Sequence, residues 1–278
     1  MTNLSNVSAP LISVIMSVYN DEKYIHDSIN SILNQSYSNI EFLIIDDHSS
    51  DNSSSIISEY SKKDSRIVCF KNEHNKGLTE NLNYLIGMCS GKYIARMDAD
   101  DISSNNRLKI QVSYLETHPN IDVLGGAIQE FDDFNNLYSI RTYPENPSDV
   151  RKQIAISSPL CHPTVVFRKH IFDNGILYNK KYKTTQDLDL WFRLISLGYK
   201  IANTSDVILK FRLNNDLANR RSNKKSADEF LIYFNGIYNL YGLNYRLIYP
   251  VIRLIFRLLP KFLISSIYKG SFRNVLNS

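Results

Sequence analysis

Residues 11–20 read LISVIMSVYN, a run of apolar and largely β-branched side chains that ends in a tyrosine and an asparagine. A strand that is covered on both faces has this composition. The apolar residues Ile25, Ile29 and Ile32 then recur at helical spacing, so the sequence predicts a helix that ends near Gln35. A buried strand followed by an amphipathic helix is the repeating unit of an α/β fold.

This alternation continues to about residue 130. Further strands are predicted at residues 41–45, 67–70 and 92–97, and the helices that follow them contain Ile56 and Tyr60, residues 78–88, and Leu108 to Leu115. Such alternation implies right-handed βαβ crossovers and a mostly parallel sheet flanked by helices. The segment 131–229 is less regular, with a strand predicted at 165–167 and a helix within 184–197.

Composition excludes several classes of protein. The 278 residues are 43% hydrophobic and 22% charged, with a net charge of +4, which is typical of a globular protein and not of collagen, a coiled coil or a disordered chain. The three cysteines form no CxxC pair, so neither a disulfide framework nor a structural zinc site is expected. This cysteine usage predicts a protein of a reducing compartment. Neither a G-x-G-x-x-G nor a P-loop motif is present, which argues against dehydrogenases and P-loop kinases.

Polar residues follow three of the predicted strands. They are Tyr19-Asn20, Asp46-Asp47 and the run from Asp98 to Asp101. Ligands of parallel α/β sheets bind beyond the carboxyl ends of the strands, so we expect these residues to converge on one edge.

The run Asp98 to Asp101 places three carboxylates within four residues. Crowded carboxylates raise one another's pKa unless a cation lies among them, and Mg²⁺ or Mn²⁺ prefers such oxygen ligands. The alternative is an acidic turn that caps the next helix. The run Asp98 to Asp101 follows a buried strand, on the edge shared with Asp46-Asp47, and this position favours the metal site over the acidic turn.

The other two clusters are typical of a nucleotide site. Tyr19 can stack on a base, and Asp46 or Asp47 can accept a hydrogen bond from a base N–H. The alternatives are a tyrosine that covers the core and a carboxylate at a helix N-terminus.

Five segments together resemble family 2 glycosyltransferases of the GT-A fold, over about residues 11–213. They are SVIMSVYND (13–21), IIDDHSSDNS (44–53), ENLNYLIGMCSGKYIARMDADD (80–101), HPTVVFRK (162–169) and QDLDLWFRLISLG (186–198). The resemblance implies a Rossmann-like sheet and the inverting transfer of a sugar from a nucleotide-sugar, with UDP-sugar preferred, to an acceptor hydroxyl.

For the donor side, the resemblance implies that Ser17 and Tyr19 contact the nucleotide and that Asp47, with Asp46, binds the base. Asp98 would face the ribose or the sugar. Asp100 would ligate the Mn²⁺ or Mg²⁺ that bridges the diphosphate.

For the acceptor side, the resemblance implies that Asp187 is the general base and that His162 and Gln186 border the acceptor. The alternative for His162 is a histidine that donates to a nearby carbonyl. Asp189 lies two residues further along the helix and points elsewhere, so we interpret it as structural.

The chain departs from the family pattern at two places. Gln186 stands where the family commonly has a glutamate, and residues 211–215 read FRLNN where a Tyr-Arg-x-His segment is common. Arg212 and Asn215 are therefore only guesses for a phosphate or metal contact. A non-catalytic nucleotide-sugar-binding or scaffold protein on the same fold stays open as an alternative, whereas a sugar nucleotidyltransferase would need a glycine-rich phosphate loop. The Gln-x-x-Arg-Trp motif of processive synthases is absent, which favours single addition.

We divide the chain into a catalytic domain, residues 1–229, and a basic segment, residues 230–278. The nucleotide-binding half would span about 10–130 and the acceptor-side half 131–229. After Glu229 there is no carboxylate, and Arg246, Arg253, Arg257 and Lys261 form a stripe beside a wide apolar face, with Pro250 and Pro260 expected to kink or divide the helix.

An amphipathic basic segment suits the surface of an anionic membrane, which residues 243–273 would contact. The alternative is a helix packed on the catalytic domain. Because neither a signal peptide nor an apolar run of about 20 residues is present, we expect a cytoplasmic protein, peripheral on the cytoplasmic face of the inner membrane. Its acceptor would be a lipid-linked or growing surface polysaccharide, and no nucleic acid partner is expected.

Overall fold

The first half of the chain forms the alternation of strands and helices that its sequence predicts. The computed structural model describes residues 9–213 and 223–258, and the chain divides into two compact units, residues 1–214 and 215–278. The elements of this half are β1 (Ile12–Val18), α1 (Ile25–Leu33), β2 (Ile40–Asp46), α2 (Ser53–Lys63), β3 (Ile67–Lys71), α3 (Leu78–Met88), β4 (Tyr93–Asp98), β5 (Ile102–Ser103) and α4 (Arg107–Thr117).

Burial explains why β1 carries an apolar run without alternation. Every residue of β1 except Ser17 is buried, because helices cover both faces of a parallel sheet. On α1 the residues Ile25, Ile29 and Ile32 are fully buried in the same core. Each such side chain stabilises the fold by about 1.5–3 kcal/mol relative to exposure.

Strands β3, β2, β1 and β4 lie side by side in that order, and all three pairings are parallel. In the register, Val18 lies opposite Asp46 and Ser17 lies opposite Asp98. The carboxyl ends of β1, β2 and β4 therefore meet at one edge, which confirms the predicted convergence of the polar clusters.

The second half of this unit extends the sheet with mixed strand directions. Strand β8 lies between β4 and β6 and is antiparallel to both, whereas β9 is parallel to β6. The strand predicted at 165–167 and the helix predicted within 184–197 are both confirmed, as β8 and α7. The elements are β6 (Val123–Phe131), β7 (Leu137–Arg141), α5 (Pro147–Gln153), a 3₁₀ turn (His162–Thr164), β8 (Val166–Arg168), α6 (His170–Asp173), α7 (Gln186–Ser196) and β9 (Ile201–Arg212).

The second unit contains α8 (Asn223–Tyr241) and α9 (Ile248–Leu258). The predicted domain boundary at Glu229 falls inside α8, because the loss of acidic residues marks a change of charge and not an end of an element. Arg253, from the predicted basic stripe, pairs with Glu229 at 3.0 Å. Lys261 and Pro260, together with the Asn215 of the FRLNN departure, lie outside the described residues.

The exposed face of α9 is apolar. Ile248, Val251, Ile252 and Ile255 are between 41% and 58% exposed and recur at helical spacing. Pro250 lies within the first turn of α9, where a missing N–H costs no hydrogen bond. Among the described residues, none of the helices combines the length and the hydropathy that crossing a membrane requires.

Candidate active site

Three carboxylates at the end of β4 form what we call the aspartate ledge: Asp98, Asp100 and Asp101. One oxygen from each of the three lies within 4.8 Å of those of the other two. An all-oxygen ligand set at this spacing suits a hard divalent cation such as Mg²⁺ or Mn²⁺.

Asp101 carries the observation that best fits a cation. Its side chain is 1% exposed, and Oδ1 accepts the backbone N–H of Arg212 at 2.9 Å. Oδ2 is buried without a hydrogen-bond partner among the described residues. Burial, and then the charges of Asp100 and Asp98, raise the pKa of Asp101 well above its ordinary value. A cation on the ledge would relieve this repulsion and give Oδ2 a partner.

Asp98 is neutralised by the protein itself. Both of its oxygens accept hydrogen bonds from the guanidinium of Arg96, which is 2% exposed. Although burial lowers the pKa of Arg96, the charge of Asp98 raises it, and the net effect is an increase, so the guanidinium stays charged. Asp98 is predicted to face the ribose or the sugar, and any such contact has to share its oxygens with Arg96.

Arg212 holds the ledge from β9. Its Nε donates to the carbonyl oxygen of Asp100 at 2.8 Å, in addition to the N–H bond to Asp101. The guanidinium packs over the rings of Tyr24 and Phe131, each 4.3 Å from the ring centroid. Arg212, which the sequence suggested only as a guess for phosphate or metal, is thus a buried support of the turn that carries the aspartate ledge.

Asp21, to which the sequence pattern gives no role, carries a carboxylate that feels the charges of the aspartate ledge. Burial first, and then the negative charge of Asp100, raise its pKa to about 7, and the charge of Asp98 adds to this. A fourth carboxylate therefore lies in the electrostatic reach of the ledge. The signal was present, since Asp21 is the last residue of the segment SVYND, but nothing in its spacing distinguished it from a loop residue.

The two candidates for contacts with the nucleotide after β1 differ in exposure. The ring of Tyr19 is 51% exposed, so one face is open to a base. Ser17 is partly buried, and its Oγ already accepts a hydrogen bond from the side-chain amide of Asn81 at 2.9 Å. The role of Tyr19 in stacking on a base stays a prediction, while Ser17 is bound within the protein.

The neighbours Asp46 and Asp47 are both 2% exposed, but their hydrogen bonds differ. Asp47 accepts the N–H groups of Lys76 and Gly77, each at 2.8 Å, and the side-chain amide of Asn72 at 2.7 Å. Although burial opposes ionisation, these donors hold the pKa of Asp47 below its ordinary value. Asp47 thereby fixes the loop that leads into α3.

Asp46 keeps an unused acceptor. Its Oδ1 accepts the N–H of Ser49 at 3.2 Å, and its Oδ2 is buried with no hydrogen-bond partner among the described residues. Of the two carboxylates that the sequence left open, Asp46 is the one with an oxygen that no donor among the described residues reaches.

The predicted base lies in the first turn of α7. Thr185 has a left-handed backbone, with φ of 63°, and the helix begins at the buried Gln186. Asp187 is partly exposed. Asp189 accepts a hydrogen bond from Nε of Arg193 at 2.8 Å, which agrees with the structural role predicted for it.

The charges of Asp187 and of Asp98 both act on one buried side chain, Tyr178. Tyr178 is 2% exposed, and burial raises the pKa of its hydroxyl. The charge of Arg96 opposes this increase, and the charges of Asp187 and Asp98 add to it. Asp187 and Asp98 are therefore both within electrostatic reach of one buried hydroxyl.

His162, predicted on the acceptor side, is buried. Its Nε2 lies 2.7 Å from the hydroxyl of Tyr178, and its side chain is 9% exposed. Burial, followed by the charge of Arg96, holds the pKa of His162 well below its usual range, so the imidazole is neutral. The histidine bonds to a tyrosine hydroxyl, not to the carbonyl that the alternative suggested.

Comparison with known sequences identifies relatives over most of the chain. The sequence profile described as "Glycosyl transferase family 2" matches residues 13–176, more than half of the chain. EpsE of Bacillus subtilis (strain 168), named as a glycosyltransferase, is 34% identical over 82% of this chain and 82% of its own length. The amylovoran biosynthesis glycosyltransferase AmsE of Erwinia amylovora is 31% identical over 76% of this chain and 79% of its own length.

Solved structures share the fold. Residues 1–349 of S. aureus TarS, in complex with UDP-GlcNAc, match with a TM-score of 0.68 at 21% identity, over 89% of this chain and 71% of that one. The mannosyltransferase PcManGT of Pyrobaculum calidifontis, in complex with GDP-Man and Mn²⁺, matches with a TM-score of 0.61 at 13% identity, over 97% of this chain and 81% of that one. The α/β sheet is therefore the GT-A arrangement, and the chain belongs to glycosyl transferase family 2 and is a glycosyltransferase.

Proposed function

We propose that this glycosyltransferase moves a sugar from a nucleotide-sugar, with UDP-sugar as the preferred donor, to an acceptor hydroxyl with inversion at the anomeric carbon. The observation that carries the proposal is that the three carboxylates of the aspartate ledge gather within 4.8 Å of one another at the edge where β1, β2 and β4 end. Inversion requires a base on one side of the sugar and stabilisation of the leaving diphosphate on the other. A cation site on the ledge and a base at Asp187 would meet that requirement.

The donor nucleotide would be bound at the ends of β1 and β2. Tyr19 offers a half-exposed ring for stacking on the base. Asp46 has an unused oxygen that can accept a base N–H, whereas the oxygens of Asp47 already accept three donors from its own chain. We therefore assign base recognition to Asp46 and the support of the loop to Asp47, and we assign Ser17 to positioning Asn81.

The aspartate ledge would hold Mn²⁺ or Mg²⁺ through Asp100, assisted by Oδ2 of Asp101. When bound, the cation neutralises charge that develops on the departing diphosphate. The repulsion that raises the pKa of Asp101 supports this assignment, as does the all-oxygen composition of the ledge. Asp98, paired with Arg96, would contact the ribose or the sugar through lone pairs that Arg96 leaves open.

Asp187 would act as the general base. It accepts the proton of the acceptor hydroxyl as that oxygen attacks the anomeric carbon from the side opposite the diphosphate. Gln186 beside it adds no negative charge, so Asp187 stays easier to ionise than it would beside a glutamate. His162, neutral and buried, does not compete for this role.

The acceptor would be a lipid-linked or growing surface polysaccharide. The name of AmsE, an amylovoran biosynthesis enzyme, supports this class of acceptor. The second unit would place the enzyme at an anionic membrane, with the apolar face of α9 in the interface and the cations after Glu229 near the lipid headgroups. Sedimentation with phosphatidylglycerol vesicles tests this contact: Ile252→Glu should abolish it, and equal binding of the variant would contradict it.

The reaction is tested by measuring Mn²⁺-dependent turnover of UDP-sugars with the wild type and with Asp187→Asn. Loss of a general base lowers kcat by about 10²–10⁴-fold, while the affinity for UDP should be unchanged. Asp189→Asn, on the same turn of α7, is the matched control and should keep its activity. Unchanged turnover in Asp187→Asn would reject the base, and UDP-sugar binding without turnover by the wild type would support a scaffold protein instead.

A further inference from the structure

His162 connects two elements that lead to Asp187. Its Nε2 bonds to the hydroxyl of Tyr178 at 2.7 Å. The ring also packs edge-on against Trp191 of α7, with 5.9 Å between the centroids. All three side chains are at least nine-tenths buried, so this contact is part of the interior and offers no surface to an acceptor.

Trp191 fixes the direction of α7. It follows Asp187 by four residues, which places the two side chains on the same side of the helix, one turn apart. Besides its contact with His162, Trp191 stacks on Phe167 of β8 with 5.7 Å between ring centroids. Rotation or sliding of α7 would carry Asp187 with it, and Trp191 opposes both movements.

Tyr178 is held on its other side by α3. The side-chain amide of Asn83 donates to the carbonyl oxygen of Tyr178 at 2.8 Å and accepts the N–H of the same residue at 2.9 Å. Four residues further on, the carbonyl oxygen of Tyr182 accepts the hydroxyl of Thr79 at 2.8 Å. The segment before α7 is thus bound twice to the helix whose first turn follows the loop held by Asp47.

We propose that Tyr178 and His162 are positioning residues, which hold Asp187 at a fixed place relative to the donor half, and that neither binds the acceptor. The proposal rests on the general-base role of Asp187. The path runs from α3 through Tyr178 and His162 to Trp191 and so to the start of α7. Its function is geometric, since a misplacement of about 1 Å can cost 10²-fold in rate.

Tyr178→Phe removes the hydroxyl and leaves the ring, so it tests the Tyr178–His162 hydrogen bond with the smallest change in side-chain volume. We expect kcat to fall by about tenfold, within that geometric limit, while the Kd for UDP stays within about twofold. Tyr93→Phe is the matched control, because it also deletes a buried hydroxyl, bonded to Glu116 at 2.5 Å and to Arg168 at 3.1 Å, at the opposite end of β4. The control should lose thermal stability and keep its kcat.

A conservative variant of His162 and a double variant distinguish a positioning role from a general loss of structure. His162→Gln keeps a polar atom near the place of Nε2 and should retain more of the kcat than His162→Leu, with UDP affinity equal in both. If the hydrogen bond is the relevant link, Tyr178→Phe combined with His162→Leu should lose no more kcat than His162→Leu alone.

Two results would overturn the inference. One is a Tyr178→Phe enzyme whose kcat equals that of the wild type or falls only as far as that of Tyr93→Phe. The other is a rise in the KM for the acceptor with kcat unchanged, which would indicate that Tyr178 and His162 bind the acceptor. If Asp187→Asn abolishes turnover in either case, the proposed reaction stands and only the positioning role of Tyr178 and His162 is rejected.

Discussion

Asp47 and Asp101 lie at the same edge of the sheet, each as the second residue of an Asp-Asp pair, and they are bonded in opposite ways. After β2, Asp47 accepts three donors from its own chain. After β4, Asp101 is equally buried but keeps one oxygen without a partner among the described residues, and repulsion from Asp100 raises its pKa. Asp47 is stabilised by the protein alone, whereas Asp101 keeps an unpaired oxygen and a charge repulsion that a cation would relieve.

The difference shows that a carboxylate's role depends on the donors it already has. Both turns read Asp-Asp in the sequence, and both follow buried strands. A satisfied carboxylate stabilises the fold, and an unsatisfied one stores repulsion that a ligand can relieve. Changes in the two turns should therefore act on different quantities.

The largest effect should follow from Asp100→Asn in the aspartate ledge. Turnover should fall by about 10²–10³-fold, as when a group that stabilises transition-state charge is removed. The free energy of unfolding without metal should be no lower than that of the wild type, because one of the repelling charges is gone. Mn²⁺ should raise the Tm of the wild type and not that of the variant. Equal Tm shifts in both proteins would place the metal elsewhere.

The next largest effect is on stability, in Asp47→Asn. Loss of hydrogen bonds to a buried carboxylate should lower the free energy of unfolding by about 2–3 kcal/mol, measured by urea denaturation. Because Asp47 does not contact the donor in our assignment, kcat at a temperature where the variant is folded should be near that of the wild type. A folded variant with a greatly raised donor KM and unchanged stability would assign the base to Asp47.

A smaller effect is expected from Asp46→Asn. It replaces the acceptor for the base N–H with an amide, so the Kd for UDP should rise about tenfold, the equivalent of 1.4 kcal/mol, while kcat at saturating donor is unchanged. Calorimetric titration with UDP measures this. Wild-type affinity in this variant would show that the unused oxygen of Asp46 has another role.

The smallest effect is the pH dependence of the stability difference between the wild type and Asp47→Asn. The folded-state pKa of Asp47 is lowered, so its stabilisation is complete above the unfolded pKa of about 3.9 and is lost as the pH falls through the folded-state pKa. The gap in unfolding free energy should thus be constant near neutral pH and narrow in acid. A gap that widens in acid would contradict the assigned sign.

The regular part of the fold could be read from the sequence because its signals are local. The apolar run of β1 and the spacing of Ile25, Ile29 and Ile32 are consequences of burial, and each is visible within a few residues. The domain boundary was harder to predict from the sequence, because the change in charge at Glu229 does not interrupt α8.

The sequence by itself determined the parallel part of the sheet and the carboxylates that gather at one of its edges, since strand periodicity and chain order are enough to place them. Only the tertiary structure decided which carboxylates are already bonded. Asp47 meets donors from residues 72–77 and Asp98 meets the buried Arg96, while Asp21 feels the charges of the ledge and His162 is buried in the core. These roles depend on hydrogen bonds and charges brought together from distant parts of the chain, and a short stretch of sequence does not encode those distances.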